Sequence, residues 1–328
     1  MSGKIRLGIL GTGRIVARVM ADLPNAENVE LKAIASRTRE GAEAAAAKFG
    51  APLALAGFEA MAECDEVDLV YVALPNPFHA KYACLMMEHG KHVLCEKPMA
   101  VNGPEAEQII ACAREHQVFL MEAMWTRFMP AYQKMRELIR AGEIGEVRHV
   151  SGDFNYAMPE YDPKDRVFDP AMAGGALLDV GVYPLMACTD LLGWNPVRVQ
   201  GLCAKTAEGV DMRTSLQMQY ENGATAQIFC GMDVRSNNML RVHGAKGYIE
   251  MPESWHPTSF TLHAKGKPDQ EFAFPPEHEG HHYEFDYAAH CIREGLRESP
   301  VIPWAESRAV AEICTRVRQE NGIFYPGE

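Results

Sequence analysis

Two patterns of apolar residues divide the chain. In the first 121 residues, short runs of consecutive apolar residues alternate with segments in which apolar residues recur every three or four positions. The runs predict strands buried on both faces, as in a parallel sheet, and the periodic segments predict helices. The predicted strands are 5–10, 29–35, 67–73, 92–95 and 118–121, and the predicted helices are 14–23, 39–49, 58–64, 78–89 and 104–116. This alternation predicts an α/β fold with a doubly wound parallel sheet.

After about residue 145 the pattern changes to strands joined by tight turns. The predicted strands are 147–156, 197–206, 214–220, 224–230, 239–243, 248–251 and 259–263. Turns of hairpin type, such as Glu221-Asn222-Gly223, favour an antiparallel sheet. Helices at 174–192, 283–298 and 305–320 are expected to cover one face of it. The expected organisation is two domains, 1–124 and 125–328, the second of α+β type with an open, mainly antiparallel sheet.

Composition narrows the class of partner. Of the 328 residues, 44 are acidic and 32 are Lys or Arg, which gives a net charge of −12. This balance disfavours nucleic acid and anionic membranes as partners, although a local basic pocket is compatible with it. The nine cysteines include no CxxC pair, which is typical of reduced thiols in a cytoplasmic protein. We expect a cytoplasmic location, since no leader sequence and no apolar run of ~18 residues is evident.

A glycine turn follows the first predicted strand. Gly11-Thr12-Gly13-Arg14-Ile15 lies between a strand and a helix, which is the context of a dinucleotide-binding turn. Gly11 would permit the tight turn and Gly13 would let the backbone approach a pyrophosphate, which the helix N-terminus attracts. The third glycine of the usual pattern is replaced by Val16. The alternative is an ordinary glycine-containing loop.

The end of the second predicted strand bears on the choice of cofactor. Ser36 lies 25 residues after Gly11, near the position where an acidic residue grips the ribose of NAD. Here the sequence is Ser36-Arg37-Thr38-Arg39, with a hydroxyl and guanidinium groups that suit a 2′-phosphate. These residues favour NADP over NAD and leave NAD open. The alternative is a solvated helix start with two surface arginines.

Several motifs together resemble the Gfo/Idh/MocA oxidoreductases over essentially the whole chain. They are residues 11–16, Leu74-Pro75-Asn76-Pro77-Phe78-His79, Cys95-Glu96-Lys97-Pro98 and the run 174–183. The run 121–128 is similar to the dihydrodiol dehydrogenase branch of this family. The resemblance implies an N-terminal Rossmann domain, a C-terminal domain with an open sheet, an active-site Lys97 and a cis peptide before Pro98. It also implies pairing of sheet faces between subunits, hence a homodimer or higher homo-oligomer.

Lys97, Asp179 and Tyr183 are the candidate catalytic residues. Many family members have histidine where this chain has Tyr183, and the dihydrodiol branch has tyrosine. A free phenol has a pKa of ~10, so a nearby ammonium group such as Lys97 would be needed to favour the phenolate. Asp179 lies four residues before Tyr183, on the same face of a predicted helix, and would orient Lys97 or a substrate hydroxyl. The alternative is a buried tyrosine that bonds to a core lysine.

The remaining candidates have roles in binding. Glu96 would position the nicotinamide ribose, or it pairs with a neighbouring cation. Residues after the third predicted strand would line the cofactor, although a plain helix-start histidine is an equal interpretation of the last of them. Aromatic residues would contact substrate, or they belong to the core. Two arginines would bind substrate or cofactor, or they form surface ion pairs. The residues after the third predicted strand are Leu74, Pro75, Asn76 and His79. The aromatic residues are Trp125, Phe154 and Trp255, and the two arginines are Arg127 and Arg148. Trp125 and Arg127 are also candidates for cofactor contact.

His278, His281 and His282 form the one cluster that suggests a metal ion. The spacing is poor for zinc, so a loop leading into a helix is the preferred interpretation and no metal is expected. The resulting hypothesis is a metal-free NADP-dependent dehydrogenase acting on a sugar or a vicinal trans-diol, with Lys97 and Tyr183 handling the proton. The alternatives are an aldose, inositol or anhydrosugar reductase using NAD(H), and a regulatory protein that binds NADP without turnover.

Overall fold

The chain divides into two compact units, and the computed structural model describes residues 3–158, 160–275 and 278–328. The described residues of 1–125 and 277–307 form the first unit, and those of 126–276 and 308–328 form the second. The sequence placed residues 125–328 in a single second domain. The structure differs, because residues 278–307 pack with the first unit.

A six-stranded parallel sheet forms the centre of the first unit; the sequence predicted a parallel sheet and five of its six strands. The strand order is β3-β2-β1-β4-β5-β6, and each neighbouring pair is parallel. The strands are β1 Ile5–Leu10, β2 Val29–Ser36, β3 Leu53–Ala56, β4 Leu69–Val72, β5 His92–Glu96 and β6 Leu120–Ala123. All residues of β4 and β6 are buried, which explains their uninterrupted apolar character.

Helices flank this sheet in the chain order expected of βα units. They are α1 Arg14–Asp22, α2 Arg39–Phe49, α3 Glu59–Ala62, α4 His79–Glu88 and α5 Gly103–His116. Side chains fix two helix starts: Thr38 accepts a hydrogen bond from the Gly41 amide, and Asn102 accepts one from the Glu105 amide.

A sixth helix of the first unit comes from much later in the chain, α8 His282–Arg293. The Asp286 carboxylate accepts hydrogen bonds from the amides of Glu27 and Asn28 at 3.2 and 2.7 Å. The Asp22 carboxylate accepts bonds from the Gly280 and His282 amides at 3.0 and 2.9 Å. These hydrogen bonds satisfy backbone amides of the first unit and of the segment that leads into α8, and they hold this helix in the first unit.

The second unit contains an eight-stranded sheet in the order β14-β13-β12-β11-β7-β10-β9-β8. Every neighbouring pair is antiparallel except β7 and β10, so the sheet is mixed but mainly antiparallel. The strands are β7 Val147–Asn155, β8 Arg198–Lys205, β9 Asp211–Gln219, β10 Thr225–Gly231, β11 Leu240–Gly244, β12 Gly247–Met251, β13 Ser259–Ala264 and β14 Gln270–Ala273.

One face of this sheet is covered by helices that approach the backbone closely. A single-turn π-helix, Leu177–Gly181, leads into α7 Val182–Leu192, and α9 Trp304–Glu320 lies on β8. A Cβ at Gly152 would lie 2.9 Å from Pro184 of α7, and one at Gly201 would lie 2.4 Å from Val317 of α9. The remaining helix, α6 Pro130–Arg140, contacts β13.

The helical segment Pro170–Leu192 is long and apolar enough to span a membrane by length and composition alone. However, 78% of its apolar window is buried inside the protein. Its position against β7 and β10 accounts for that composition.

Candidate active site

The glycine turn after β1 has the shape that a dinucleotide pyrophosphate requires. Gly11 has a φ of +118°, and a Cβ there would lie 2.5 Å from the Ala73 carbonyl oxygen, so a larger residue does not fit. A Cβ at Gly13, by contrast, would meet nothing within 4 Å. Gly13 caps α1 without a side-chain bond, and the first turn of α1 has no acidic residue. The exposed Thr12, Gly13 and Arg14 therefore present helix amides to an anion.

The end of β2 offers a hydroxyl and exposed guanidinium groups. Ser36 is half-buried, and Arg37 and Arg39 are exposed. A Cβ at Gly41 would lie 2.8 Å from the Ser36 hydroxyl, so the α2 backbone passes close to this serine. Arg39 lies 3.8 Å from Glu43 in an exposed pair, which leaves it able to engage an anionic ligand.

The loop after β4 presents some of its predicted residues and buries others. Pro75 is exposed and Asn76 is half-buried, whereas Leu74 is buried. His79 is 0% exposed, and its ring nitrogens contact two backbone carbonyl oxygens. Nδ1 lies 2.9 Å from the Pro98 oxygen and Nε2 lies 2.7 Å from the Leu74 oxygen. His79 thus lies behind this loop, joined to backbone.

The Glu-Lys-Pro motif lies where β5 ends. Glu96 is 6% exposed and accepts hydrogen bonds from the Tyr71 hydroxyl and, at 3.0 Å, from the Lys97 amide. Lys97 is half-buried. The peptide bond between Lys97 and Pro98 is cis, as the family resemblance implied. Glu96 is therefore held by neutral donors of the surrounding backbone and side chains.

Trp125 and the histidines near α8 are packing elements of the first unit. Trp125 is 3% exposed, and its ring centroid lies 4.3 Å from that of His281. The His282 Nδ1 lies 3.0 Å from the Asp22 carboxylate, and His278 contacts the His282 ring edge-on. Among the described residues, no group of three His, Cys, Asp or Glu side chains could hold a metal ion.

Three of the predicted substrate residues come together in the second unit. The Phe154 ring packs edge-on against Tyr183 at 5.3 Å and stacks on Trp255 at 5.4 Å with a 13° tilt. Trp255 is fixed by hydrogen bonds from the Thr126 hydroxyl to its carbonyl and from its indole to Glu253. These rings form an aromatic wall, defined by Phe154, Tyr183 and Trp255.

Asp179 binds two side chains that the sequence did not single out. It accepts hydrogen bonds from the Tyr156 hydroxyl at 3.1 Å and from the Arg166 guanidinium at 3.2 Å. Burial and the Asp179 carboxylate raise the pKa of the Tyr156 phenol well above its usual range, so Tyr156 remains a donor. One signal was available: Tyr156 follows Phe154 by two residues, the side-chain repeat of a strand.

A buried acid holds the helix start that carries Asp179 and Tyr183. The Asp211 carboxylate accepts hydrogen bonds from the Leu177 amide and the Thr214 hydroxyl, both at 2.7 Å. Burial raises the pKa of Asp211 to about 6. A Cβ at Gly175, whose φ is +113°, would lie 2.1 Å from this carboxylate, so the glycine gives it access to the backbone.

The two predicted arginines differ in their exposure to solvent. Arg127 is 2% exposed and its guanidinium lies 2.7 Å from Asp190, which Arg136 and Tyr132 also contact. The surface ion pair expected for Arg127 is wrong, because the pair is buried. Arg148 is exposed on β7, six residues before Phe154, which corresponds to about 20 Å along a strand.

Comparisons with known proteins agree over the full chain. A family model described as an oxidoreductase family with an NAD-binding Rossmann fold matches residues 5–124, and a GFO/IDH/MocA C-terminal domain model matches residues 132–250. Trans-1,2-dihydrobenzene-1,2-diol dehydrogenase of Mus musculus is 34% identical, with 98% of each chain covered. The Homo sapiens protein of the same name is 32% identical, again with 98% of each chain covered.

Solved structures give the same picture. A 3-ketoreductase from Actinomadura kijaniata, in complex with NADP and TDP-benzene, has a TM-score of 0.84 at 28% identity, covering 97% of this chain and 98% of that one. An aldose-aldose oxidoreductase from Caulobacter crescentus, complexed with glycerol, has a TM-score of 0.87 at 27% identity, covering 98% and 99%. The folds of both units, with the parallel sheet and the mainly antiparallel sheet, therefore occur in known oxidoreductases.

The space at Gly13 generates a prediction. We expect Gly13→Val to leave the melting temperature nearly unchanged, because its Cβ meets nothing and its φ of −74° suits any residue. The same side chain would occupy the path of a pyrophosphate, so we expect NADPH to bind about tenfold or more weakly. Fluorescence titration with NADPH and thermal unfolding measure the two quantities. Unchanged affinity would show that the dinucleotide does not approach this turn.

Proposed function

Because this chain belongs to the GFO/IDH/MocA family of oxidoreductases, we propose that it is an NADP-dependent dehydrogenase of sugars or trans-dihydrodiols. The reaction acts on CH–OH groups, and the first unit is a NAD-binding Rossmann domain. The finer proposal is the substrate class, the preference for NADP and the roles of Lys97 and Tyr183. The observation that carries the role of Tyr183 is the contrast between its environment and that of Tyr156.

Tyr156 and Tyr183 have different environments in the second unit. Tyr156 donates its hydroxyl hydrogen to Asp179, and its raised pKa makes it a poor base. Tyr183 is half-buried in the first turn of α7, where its ring packs against Phe154. Tyr183 is thus the phenol better suited to exchange a proton with a substrate.

In the proposed mechanism, Tyr183 accepts the substrate hydroxyl proton during oxidation and returns it during reduction. Lys97 supplies a positive charge that favours the phenolate of Tyr183 and the developing alkoxide. A dinucleotide held by the glycine turn and by Ser36 and Arg37 would supply the hydride acceptor for oxidation and, in its reduced form, the hydride donor for reduction. Asp179, held by Tyr156 and Arg166, hydrogen-bonds a second hydroxyl of the substrate.

The aromatic wall supports a substrate with a flat apolar face. Phe154 and Trp255 lie nearly parallel, and together with Tyr183 they suit a sugar ring or a dihydrodiol ring. The named relatives include dihydrodiol dehydrogenases, a 3-ketoreductase and an aldose-aldose oxidoreductase. These names have in common oxidation of a hydroxyl group or reduction of a carbonyl group.

The proposed role of Tyr183 is tested with a matched pair of variants. We expect Tyr183→Phe to lower kcat by roughly 10²–10⁴-fold, since it removes the proton-exchanging group. Tyr156→Phe removes only a hydrogen bond to Asp179, so we expect a much smaller loss. Both are assayed with NADP on a panel of D-xylose, other aldoses, inositol and trans-1,2-dihydrobenzene-1,2-diol.

The outcomes distinguish the alternatives. A fully active Tyr183→Phe enzyme would contradict the assigned role, and a larger loss in Tyr156→Phe would transfer the role to Tyr156. Wild-type protein that binds NADP but turns over no substrate of the panel would favour a sensing protein.

The NADP preference is tested at Arg37, which is exposed next to Ser36. Removing a guanidinium that contacts the 2′-phosphate would weaken only the phosphorylated dinucleotide. We expect Arg37→Ala to weaken NADPH binding by about tenfold and to change NADH binding by less than about twofold. Arg140→Ala, at an exposed arginine of α6, is the control. Equal losses for both dinucleotides, or none, would refute the preference.

Self-association through the eight-stranded sheet is also part of the proposal. The face opposite α7 and α9 carries the cross-strand row Gln200, Gln217 and Gln227, and next to it Leu202, which is 77% exposed. Uncharged side chains and an exposed leucine suit burial against a second copy.

We expect a homodimer in sedimentation equilibrium, and we expect Leu202→Glu to shift it towards monomer, because the charge would be buried without a partner. Leu296→Glu, at a leucine 40% exposed on the first unit, should leave the association unchanged. A monomeric wild-type protein at micromolar concentration would contradict this assembly.

A further inference from the structure

The backbone that follows Lys97 is held by two buried polar side chains. The Pro98 carbonyl oxygen lies 2.9 Å from His79 Nδ1, which donates a hydrogen bond to it when the ring hydrogen is on Nδ1. One residue further on, the Met99 amide donates a hydrogen bond to the Glu122 carboxylate at 2.9 Å. Both contacts lie within the first unit, within two residues of Lys97 along the chain.

These two side chains reach the loop from opposite neighbours of β5. His79 starts α4, which follows β4, and Glu122 lies in β6, where it pairs with Cys95 of β5. Strands β4, β5 and β6 are consecutive in the sheet. The segment after Lys97 is therefore fixed from both sides.

Neither residue is placed to contact substrate or cofactor. His79 is 0% exposed and Glu122 is 3% exposed. A polar group in such a position costs free energy unless a hydrogen bond compensates for its loss of water. The other three residues of β6 are apolar and fully buried, so an apolar residue at position 122 would suit the packing. Compared with apolar side chains, these polar groups contribute the hydrogen bonds to the backbone of Pro98 and Met99.

His79 also joins this segment to the preceding loop. Its two contacts, the oxygens of Pro98 and Leu74, can only accept, so a neutral ring donates a hydrogen bond to one of them and only a doubly protonated ring donates to both. Burial lowers the pKa of His79, whereas the two backbone bonds act in the opposite direction. The two ring positions are therefore separable by substitution, because Asn places an amide nitrogen near Nδ1 and Gln places one near Nε2.

We propose that His79 and Glu122 are positioning residues that fix the orientation of Lys97 by holding the backbone of Pro98 and Met99. This rests on the role proposed above for Lys97. A displacement of about 1 Å at a reacting group can lower a rate by about 10²-fold, so loosening the segment should affect kcat more than binding.

The His79 arm of the test compares two polar substitutions of the same residue. His79→Asn retains a donor for the Pro98 oxygen and loses the bond to Leu74, whereas His79→Gln does the reverse. We expect kcat of His79→Asn to exceed that of His79→Gln by about tenfold or more. The dissociation constants for NADPH should agree within about twofold. Equal kcat values, or the reverse order, would overturn the role of His79.

The Glu122 arm uses an acceptor and its removal. Glu122→Gln keeps an oxygen for the Met99 amide, and Glu122→Leu leaves this amide without its partner. We expect kcat to be at least about tenfold higher in Glu122→Gln, and Met99 amide exchange to be faster in Glu122→Leu. Glu105→Leu is the matched control, since its carboxylate accepts a hydrogen bond at 3.1 Å from the Val101 amide, farther from Lys97.

A double-mutant cycle separates positioning from general destabilisation. With Lys97→Met as the background, a residue that acts through Lys97 should cause little further loss of kcat, whereas a merely structural role gives losses that multiply. The assay uses NADP with trans-1,2-dihydrobenzene-1,2-diol, or D-xylose where that is faster. Multiplying losses would overturn the positioning role while the Lys97 role stands. A fully active Lys97→Met enzyme would overturn the proposed function itself. If Glu122→Leu does not fold, the two polar His79 variants still decide the question.

Discussion

The parallel pairing of strands in the first unit determines where its functional residues lie. In a parallel sheet the carboxyl ends of all strands meet at one edge. The pairings of β1 with β4, β4 with β5 and β5 with β6 therefore place three segments at the same edge: the glycine turn, the loop that begins at Leu74 and the Glu-Lys-Pro motif. Strand pairing by itself thus brings residues that are far apart in sequence to one edge of the sheet. What pairing alone leaves undetermined is the orientation of each side chain beyond its strand, and buried polar groups fix it.

The second unit collects its residues by a different route. Phe154 and Tyr156 come from the end of β7, and Asp179 and Tyr183 come from the π-turn and the start of α7. These elements meet because α7 packs on β7, with Gly152 allowing close approach. The Asp211 carboxylate accepts a hydrogen bond from the Leu177 amide. This amide lies at the start of the helix, where no preceding turn offers it a carbonyl oxygen. Because the start of this helix is fixed, the position of Asp179 relative to its donors Tyr156 and Arg166 is fixed too.

Sequence reasoning succeeded where a pattern reports burial directly. Strand β1 and helix α2 have the predicted bounds, because a run of apolar residues and a capped alanine-rich segment are local signals. Strand β3 was missed because all of its residues are only half-buried, and β14 was missed because its residues are mostly exposed. The membership of α8 in the first unit was missed since periodicity shows that a face is buried but not against which partner. The motif residues were found because their signal is local in the sequence. Arg166 was not found, because its role depends on where Asp179 lies in the fold.

The net charge of −12 does not show which acidic residues are ionised inside the protein. The environments of the buried acids indicate this. Burial opposes ionisation of each, and the donors around it decide the outcome. Asp22 accepts four hydrogen bonds from Asn25 and the 280–282 segment, and despite burial its pKa is lowered. Burial raises the pKa of Asp211, with two such donors, to about 6, and that of Glu122 to about 7. The Glu284 carboxylate is fully buried with no hydrogen-bond partner among the described residues, and burial raises its pKa well above the usual range. The hydrogen-bond donors around a buried acid therefore act against the effect of burial, and Asp22, with four donors, is the acid in this group whose pKa is lowered.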